Sequence, residues 1–151
     1  ILKLIRQFMF NYPATSHFDE ESETYEITYR DFDNIHAVAY TEDDIELEAS
    51  DILHVGLEEF ISSKMPIPMP SEPQSGDFIV YLPPISCLKI ALHNAMLTTK
   101  TKKADLARKM NLNSAQIERL LDINQTSKID SLEQALYLLG YHIAISVHKQ
   151  R

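Results

Sequence analysis

The chain has 151 residues, 44% of them hydrophobic, so it is long enough for one ordinary domain or two small ones and apolar enough to build a core. That composition excludes a wholly disordered chain, and no apolar run approaches the ~18 residues of a membrane span. The formal net charge is -8, and taken as an average it argues against a nucleic-acid partner. The opening Ile1-Leu2-Lys3-Leu4-Ile5-Arg6-Gln7 is too short for a signal peptide and lacks a cleavage site. Cys87 is alone, which leaves no disulfide framework and no cysteine-based zinc site, and the expected setting is a reducing cytoplasm.

The average conceals a division. Residues 1–83 hold four bases and 17 acids, a net -13, whereas residues 84–151 hold ten bases and five acids, a net +5. Opposite signs in two halves suggest two units with opposite partners. Prolines mark the boundary: Pro66, Pro68, Pro70 and Pro73 crowd one stretch, and Pro83-Pro84 follows. No internal repeat is visible.

In chain order, Phe8, Phe10 and Tyr12 alternate, then Tyr25, Ile27 and Tyr29, then Val38 and Tyr40. Period-two spacing of aromatic and β-branched residues predicts half-buried strands, with Asp19–Ser22 as the turn of a first hairpin. Ile45, Ala49, Ile52, Leu53, Leu57 and Phe60 then recur at helical spacing, with Thr41 as the expected N-cap and Asp43 and Asp44 at the positive end of the helix. Phe78–Leu82 is a last strand. The order β-β-β-α-β implies a sheet with a helix on one face.

This half offers little for catalysis. Asp31 and Asp33 are paired carboxylates, and His17, His36 and His54 are present, but no HxH or HExxH spacing occurs. The only glycines are Gly56, Gly76 and Gly140, so there is no phosphate-binding loop and no GxSxG elbow. No catalytic residue, metal or cofactor is expected.

Pro84 suits the first position of a helix whose stripe is Ile85, Leu88, Leu92, Ala95 and Met96. Thr101 is read as the cap of a second helix with Leu106, Ala107 and Met110 inward. Asn111-Leu112-Asn113 is a tight turn, and Ser114 is read as the cap of a third helix with Ile117, Leu120 and Leu121 inward. Asp130-x-x-Glu133 reads as a capping box opening a fourth, which ends at Gly140.

Lys103 to Asp122 fits a helix-turn-helix template, with small Ala107 at the crossing and Asn111 where glycine is usual. Asparagine tolerates the left-handed conformation that this turn needs. The bland alternative is a plain helical hairpin. In a helix-turn-helix the second helix enters the major groove. Ser114, Gln116 and Arg119 lie on or near its exposed start, beside Asn113, and Gln pairs with adenine as Arg does with guanine. Lys100, Thr101, Lys102 and Lys103 are placed for phosphates, as is the polar loop Asn124, Gln125, Thr126, Ser127 and Lys128.

Tyr141, Ile143, Ile145 and Val147 alternate against His142, Ala144, Ser146 and His148. This strand pattern has no partner strand in its own half, and an unpaired edge is a liability. Pairing with a second copy is expected. The resulting two-fold dimer would read a palindromic site. The alternative is a return of this strand to the N-terminal sheet.

Several of these stretches resemble one family. Lys89-Ile-Ala-Leu-His-Asn-Ala-Met-Leu97, Lys103-Ala-Asp-Leu-Ala-Arg-Lys-Met110 and Thr126-Ser-Lys-Ile-Asp-Ser-Leu-Glu-Gln-Ala135, running on to Leu139-Gly140, are similar to the C-terminal domain of HicB antitoxins. Tyr12-Pro13-Ala14 resembles the opening of the family, and Ile67-Pro68-Met69-Pro70-Ser71 resembles its inter-domain segment. The resemblance spans residues 9–147. It departs between Thr15 and Thr41, where the family carries a Gly-containing turn and a Pro-Gly pair, and this chain has Asp19–Ser22 and Asp31-Phe-Asp-Asn-Ile35. Residues 1–8 are then an extension, with Met9 as the expected natural start. The resemblance implies a partial RNase H-like toxin-binding domain over residues 9–65 plus 77–83, a Pro-rich segment at 66–76, and an all-helical helix-turn-helix and dimerisation domain over 84–151. It also implies a HicA-type partner, a small basic toxin that cleaves mRNA, and repression of the shared operon. The expected toxin surface is an apolar anchor of Tyr29, Phe32, Ile35 and Tyr40 ringed by Asp31, Asp33, Glu42 and Asp43. Two rival classes remain, a free-standing regulator whose first half senses a small ligand and an RNase H-related nuclease. The second is disfavoured by the absent ligand pattern.

Overall fold

The computed structural model describes residues 10–149. Phe8, Met9 and the proposed extension 1–8 lie outside the described residues. The chain divides between Pro83 and Pro84 into a mixed α+β unit and a helical unit.

The first unit has strands β1 (Tyr12–Asp19), β2 (Thr24–Tyr29) and β3 (Phe32–Ala39), a 3-10 turn at Glu42–Asp44, helix α1 (Ile45–Ser62) and a short strand β4 (Phe78–Val80). The sheet order is β3-β2-β1-β4, and every pairing is antiparallel. In register, Ala14 faces Tyr29, Ile27 faces Ala37 and Tyr12 faces Val80. This stacks Tyr12, Ala14, Ile27, Tyr29 and Ala39 on one buried face. Helix α1 lays Ile45, Ala49, Leu53 and Leu57 on the core side. Full burial of a leucine such as Leu53 or Leu57 contributes about 1.5–3 kcal/mol. Phe32 anchors an aromatic cluster, with ring centroids 4.9 Å from Tyr12, 5.5 Å from Phe60 and 6.1 Å from Tyr29.

Both hairpins use acids at the turn. Asp19 pairs with Thr24, and its carboxylate accepts from Ser22 Oγ (2.7 Å) and Glu21 N (3.3 Å), which holds its pKa below the usual carboxylate value. Glu23 closes this turn at φ 55°. In the second hairpin Tyr29 faces Phe32 across Arg30-Asp31, but Thr28 faces His36. The extra residues form a bulge that carries Ile35 into the core. There a Cβ added to Gly56 would lie 2.2 Å from Ile35 Cδ1, so the helix crosses the bulge closely only because residue 56 has no side chain.

Three expectations about this unit shift. The first strand begins at Tyr12, and Phe10 is buried outside it. The ladder continues through Thr15, Ser16 and His17, which backbone pairing holds without alternating burial. The third strand begins at Phe32, well before Val38, because the bulge breaks the period-two signal. Thr41 does not cap α1. Its hydroxyl donates to the Asp44 carboxylate (2.8 Å), a 3-10 turn intervenes, and Asp44 takes the N-cap position.

The proline-rich stretch is fastened to this unit. Ile67 is buried, Tyr12 OH donates to Pro68 O (2.7 Å), and Ser71 donates its N–H (3.1 Å) and its hydroxyl to Asp31. Asp77 then accepts from a single Arg30 nitrogen, Nη2, through both carboxylate oxygens (2.8 and 2.7 Å), with Gln74 N at 2.8 Å and Thr15 Oγ1 at 3.3 Å. These anchors return the chain to the sheet edge where β4 pairs.

The second unit contains α2 (Pro84–Thr99), α3 (Lys103–Met110), α4 (Ser114–Leu121) and α5 (Ile129–Leu138). Their common core is Leu92, Ala95, Met96, Leu106, Ile117, Leu120, Leu132, Ala135, Leu136 and Leu139. Gly140 ends α5 at φ 92°, with Tyr141 N donating to Leu136 O (2.9 Å) and Gly140 N to Tyr137 O (3.0 Å), a Schellman motif. The same pair of bonds closes α3 around Asn111 (φ 55°, ψ 47°), so the expected left-handed turn residue is in place. Lys100 occupies the equivalent left-handed position after α2.

The three helix starts differ from expectation. Lys102, not Thr101, is the N-cap of α3, because Asp105 reaches back to accept from Lys102 N (3.2 Å) while Thr101 Oγ1 pairs with Thr99 Oγ1. Asn113, not Ser114, caps α4 through its amide oxygen. Helix α5 opens after Lys128, whose carbonyl accepts from Ser131 N and Leu132 N, so Asp130 falls inside the first turn and forms no capping box. The segment from Tyr141 to Lys149 forms no strand among the described residues, and the sheet takes all four of its strands from residues 12–80.

Candidate functional site

The chemistry-bearing residues of the helical unit gather on α3, α4 and the loops beside them. Helix α4 buries Ile117 and Leu120 and leaves Ser114, Ala115, Gln116, Glu118 and Arg119 exposed. Its first turn is locked by a reciprocal pair: Asn113 Oδ1 accepts from Gln116 N (2.8 Å) and Gln116 Oε1 accepts from Asn113 N (2.9 Å). This changes the role of Gln116. A bidentate adenine contact needs both its oxygen and its nitrogen, and the oxygen is already in use. Arg119 is exposed as expected, but it stands on the last turn of α4 rather than at or near its start. Lys103 is not a lone cation, because its Nζ pairs with Glu118 at 2.8 Å across the two helices. Both partners are largely exposed, so the pair is worth about 0.2–1 kcal/mol and yields readily to a phosphate. Lys100, Lys102 and Lys128 are exposed, and so are Asn124, Gln125 and Thr126, while Thr101 is half-buried.

One residue missing from the expected set organises this surface. Lys89 is 1% exposed inside the unit. Its ammonium donates to the carbonyls of Arg119 (2.9 Å), Asp122 (2.8 Å) and Gln125 (2.6 Å). The three carbonyls belong to the end of α4 and the loop after it. A buried cation thus satisfies the orphan acceptors of the helix terminus and complements the negative end of its dipole. Burial pushes the lysine pKa below its ordinary value, the Asp122 carboxylate opposes that shift, and the Arg119 charge adds to it. The sequence did carry a signal: Lys89 follows Ile85 by four and precedes Leu92 by three, so it interrupts an apolar stripe.

The sheet unit distributes its expected site residues differently. Tyr29, Phe32 and Ile35 are core residues, so they offer no exposed anchor. Tyr29 OH donates to Ala49 O, and burial pushes its pKa well up. Asp31 is occupied by Ser71 of the proline-rich strap. Asp33, Glu42 and Asp43 are exposed, and Tyr40 is 80% exposed. The outer side of α1, absent from the expected set, carries exposed Leu47, Asp51, Val55 and Glu58. No group of three or more His, Cys, Asp or Glu side chains able to hold a metal occurs among the described residues.

The C-terminal residues are mostly open. Val147 is 92% exposed, Tyr141 and Ile145 are exposed, and Ile143 packs partly against the helical core. Tyr137 and His142 meet edge to face at 6.2 Å. No helix among the described residues is long and apolar enough to cross a membrane.

Comparison with known proteins gives one consistent match. The family profile described as HicB_like antitoxin of bacterial toxin-antitoxin system covers residues 11–91. The chain is similar to the protein named Antitoxin HicB of Pseudomonas fluorescens, at 30% identity over 92% of this chain and 94% of that one. It is 32% identical to Antitoxin HicB 2 of Photorhabdus laumondii over 64% of this chain and 68% of that one. With Antitoxin HicB of Escherichia coli K12 the identity is 28%, over 64% and 70%.

Proposed function

The chain belongs to the HicB-like antitoxin family, and from that premise we propose that it neutralises a HicA-type mRNA-cleaving toxin by binding it and represses the operon that encodes the pair. The observation that carries the reading is the charge division: -13 over residues 1–83 and +5 over residues 84–151, with a structural division at the same prolines. A toxin that grips RNA presents a basic surface, so an acidic unit competes with RNA for it and speeds the encounter.

In this reading the sheet unit is a partial RNase H-like scaffold used for binding rather than catalysis. Helices α3 and α4, with the Asn111 turn between them, are a helix-turn-helix, and α4 enters the major groove presenting Ser114, the amide nitrogen of Gln116 and, on its last turn, Arg119. Lys100, Lys102, Lys103, Lys128 and the loop at 124–126 lie against phosphates, with Thr101 and Asn113 beside them. The alternating segment Tyr141, Ile143, Ile145, Val147 becomes a strand on pairing with its copy, and the two-fold dimer reads a palindrome. The protein acts in the cytoplasm, without a cofactor.

The test has two arms. Expressing the short basic protein encoded beside this chain arrests growth, and co-expressing this chain restores it. Arg119→Ala lowers specific operator affinity by about 1–3 kcal/mol, while Lys102→Ala weakens operator and random DNA alike and flattens the salt dependence. Growth unchanged in both conditions, or equal losses on both DNAs for Arg119→Ala, would overturn the corresponding arm.

A further inference from the structure

Helix α1 shows two chemically different sides. Ile45, Ala49, Leu53 and Leu57 are buried against the sheet. Leu47, Asp51 and Val55 repeat at the same four-residue spacing but start two residues later, about 200° further round the helix, so they occupy the solvent side. Leu47 and Val55 are each 60% exposed there. A single exposed aliphatic side chain is ordinary on a surface helix, but two large ones two turns apart on the ridge opposite the core, rimmed by acids, make an apolar patch that does not serve the core. Beside them stand Asp51, Glu58 and Glu59, all exposed, and no lysine or arginine occurs between Arg30 and Lys64.

We propose that this outer face of α1, centred on Leu47 and Val55, is the surface on which the basic toxin docks. The proposal rests on the antitoxin reading and gives it a location. Charge complementarity selects the occupant. A protein whose basic surface serves RNA meets an acidic helix here, and the two aliphatic side chains supply the desolvated centre that charge alone lacks. Of the anchor expected at Tyr29, Phe32, Ile35 and Tyr40, the first three side chains are core and Tyr40 alone is exposed, while Asp31 is tied to Ser71.

The full chain and the short basic protein encoded beside it are mixed, and affinity is measured by calorimetry for wild type and for the Leu47→Lys, Val55→Lys double variant. The double variant raises Kd roughly tenfold or more with an unchanged circular dichroism spectrum. Carboxyl footprinting of the wild type gives a second readout: Asp51 and Glu58 lose labelling when the toxin is present. Equal affinity of the variant, or undiminished labelling of both carboxylates, would overturn the assignment. So would a change in the oligomeric state of the toxin-free variant by light scattering, which would give the face to a second copy instead. If the wild-type chain itself binds no such protein, the antitoxin reading falls and this location with it, which separates the two failures.

Discussion

Lys89 is a costly single position in the helical unit to disturb. Its ammonium is the donor shared by three carbonyls at the end of α4, and the surrounding core is apolar. Lys89→Met keeps the stem but removes every donor. At about 1–3 kcal/mol for each acceptor left unsatisfied, and with water able to reach part of the helix end, the loss is roughly 3 kcal/mol in urea unfolding. A loss under about 1 kcal/mol would mean that the carbonyls find other partners. Asp77 plays a comparable part in the sheet unit, where its hydrogen bonds from Arg30 and from Gln74 N hold its pKa below the ordinary 3.8. A carboxylate depressed on folding contributes stability that is fully present above its unfolded value and lost as pH falls through the folded one. Wild type is therefore more heat-stable than Asp77→Asn at pH 7. The two melting temperatures converge as the pH is taken below about 4, because protonated Asp77 no longer serves Arg30. Parallel curves down to pH 2 would remove Asp77 from the acid response.

At the scale of elements, the tightest fit is between α1 and the bulge of β3. Replacing Gly by Ala inside a helix ordinarily gains about 1 kcal/mol from propensity. At Gly56 the new Cβ would stand 2.2 Å from Ile35 Cδ1 and 2.6 Å from Cγ1, so one of the two elements must move. Overpacking of this kind costs about 1–3 kcal/mol, and Gly56→Ala is expected to be destabilising on balance. Adding Ile35→Val removes the nearest atom and recovers part of the loss, which a double-mutant cycle by chemical denaturation measures. This contact also marks where reading the sequence stops. Alternation at Tyr25, Ile27 and Tyr29 and the helical stripe from Ile45 to Phe60 were visible because each repeats a period. The bulge at residues 33–35 has no period, so Phe32 and Ile35 looked like surface anchors when they are core. Caps failed for a related reason. Thr101, Ser114 and Asp130 are good capping residues by type, but Lys102, Asn113 and Lys128 hold the positions that the backbone path selects. The left-handed Asn111 and the closing Gly140 were legible because few residue types tolerate positive φ.

At the scale of the whole molecule, the charge division and the alternating C-terminal segment bear on one question that the proposed repressor role raises, how many copies would meet an operator. A single unit with a net charge of +5 gives modest, salt-sensitive attraction to DNA, and specific affinity in a two-fold system comes from two half-sites held at a fixed spacing. The segment from Tyr141 to Lys149 is where such a link would form. It alternates apolar and polar residues, Ile145 and Val147 stand exposed, and within one chain it joins no sheet. A strand with free edges and one apolar face gains both hydrogen bonds and burial from a second copy. Cutting the chain after Gly140 spares the Schellman end of α5 except for the bond from Tyr141 N, so the four helices persist by circular dichroism. We expect the truncated chain to be monomeric in light scattering and to bind operator DNA with a log-log salt slope close to half that of the full chain, since each half-site then binds alone. The acidic unit remains intact, so on the proposed function neutralisation of the toxin in co-expression is expected to be retained. A truncated chain that stays dimeric would place the two-fold contact elsewhere, and the exposed apolar side chains of α5, Ile129 and Tyr137, would be the next surface to change.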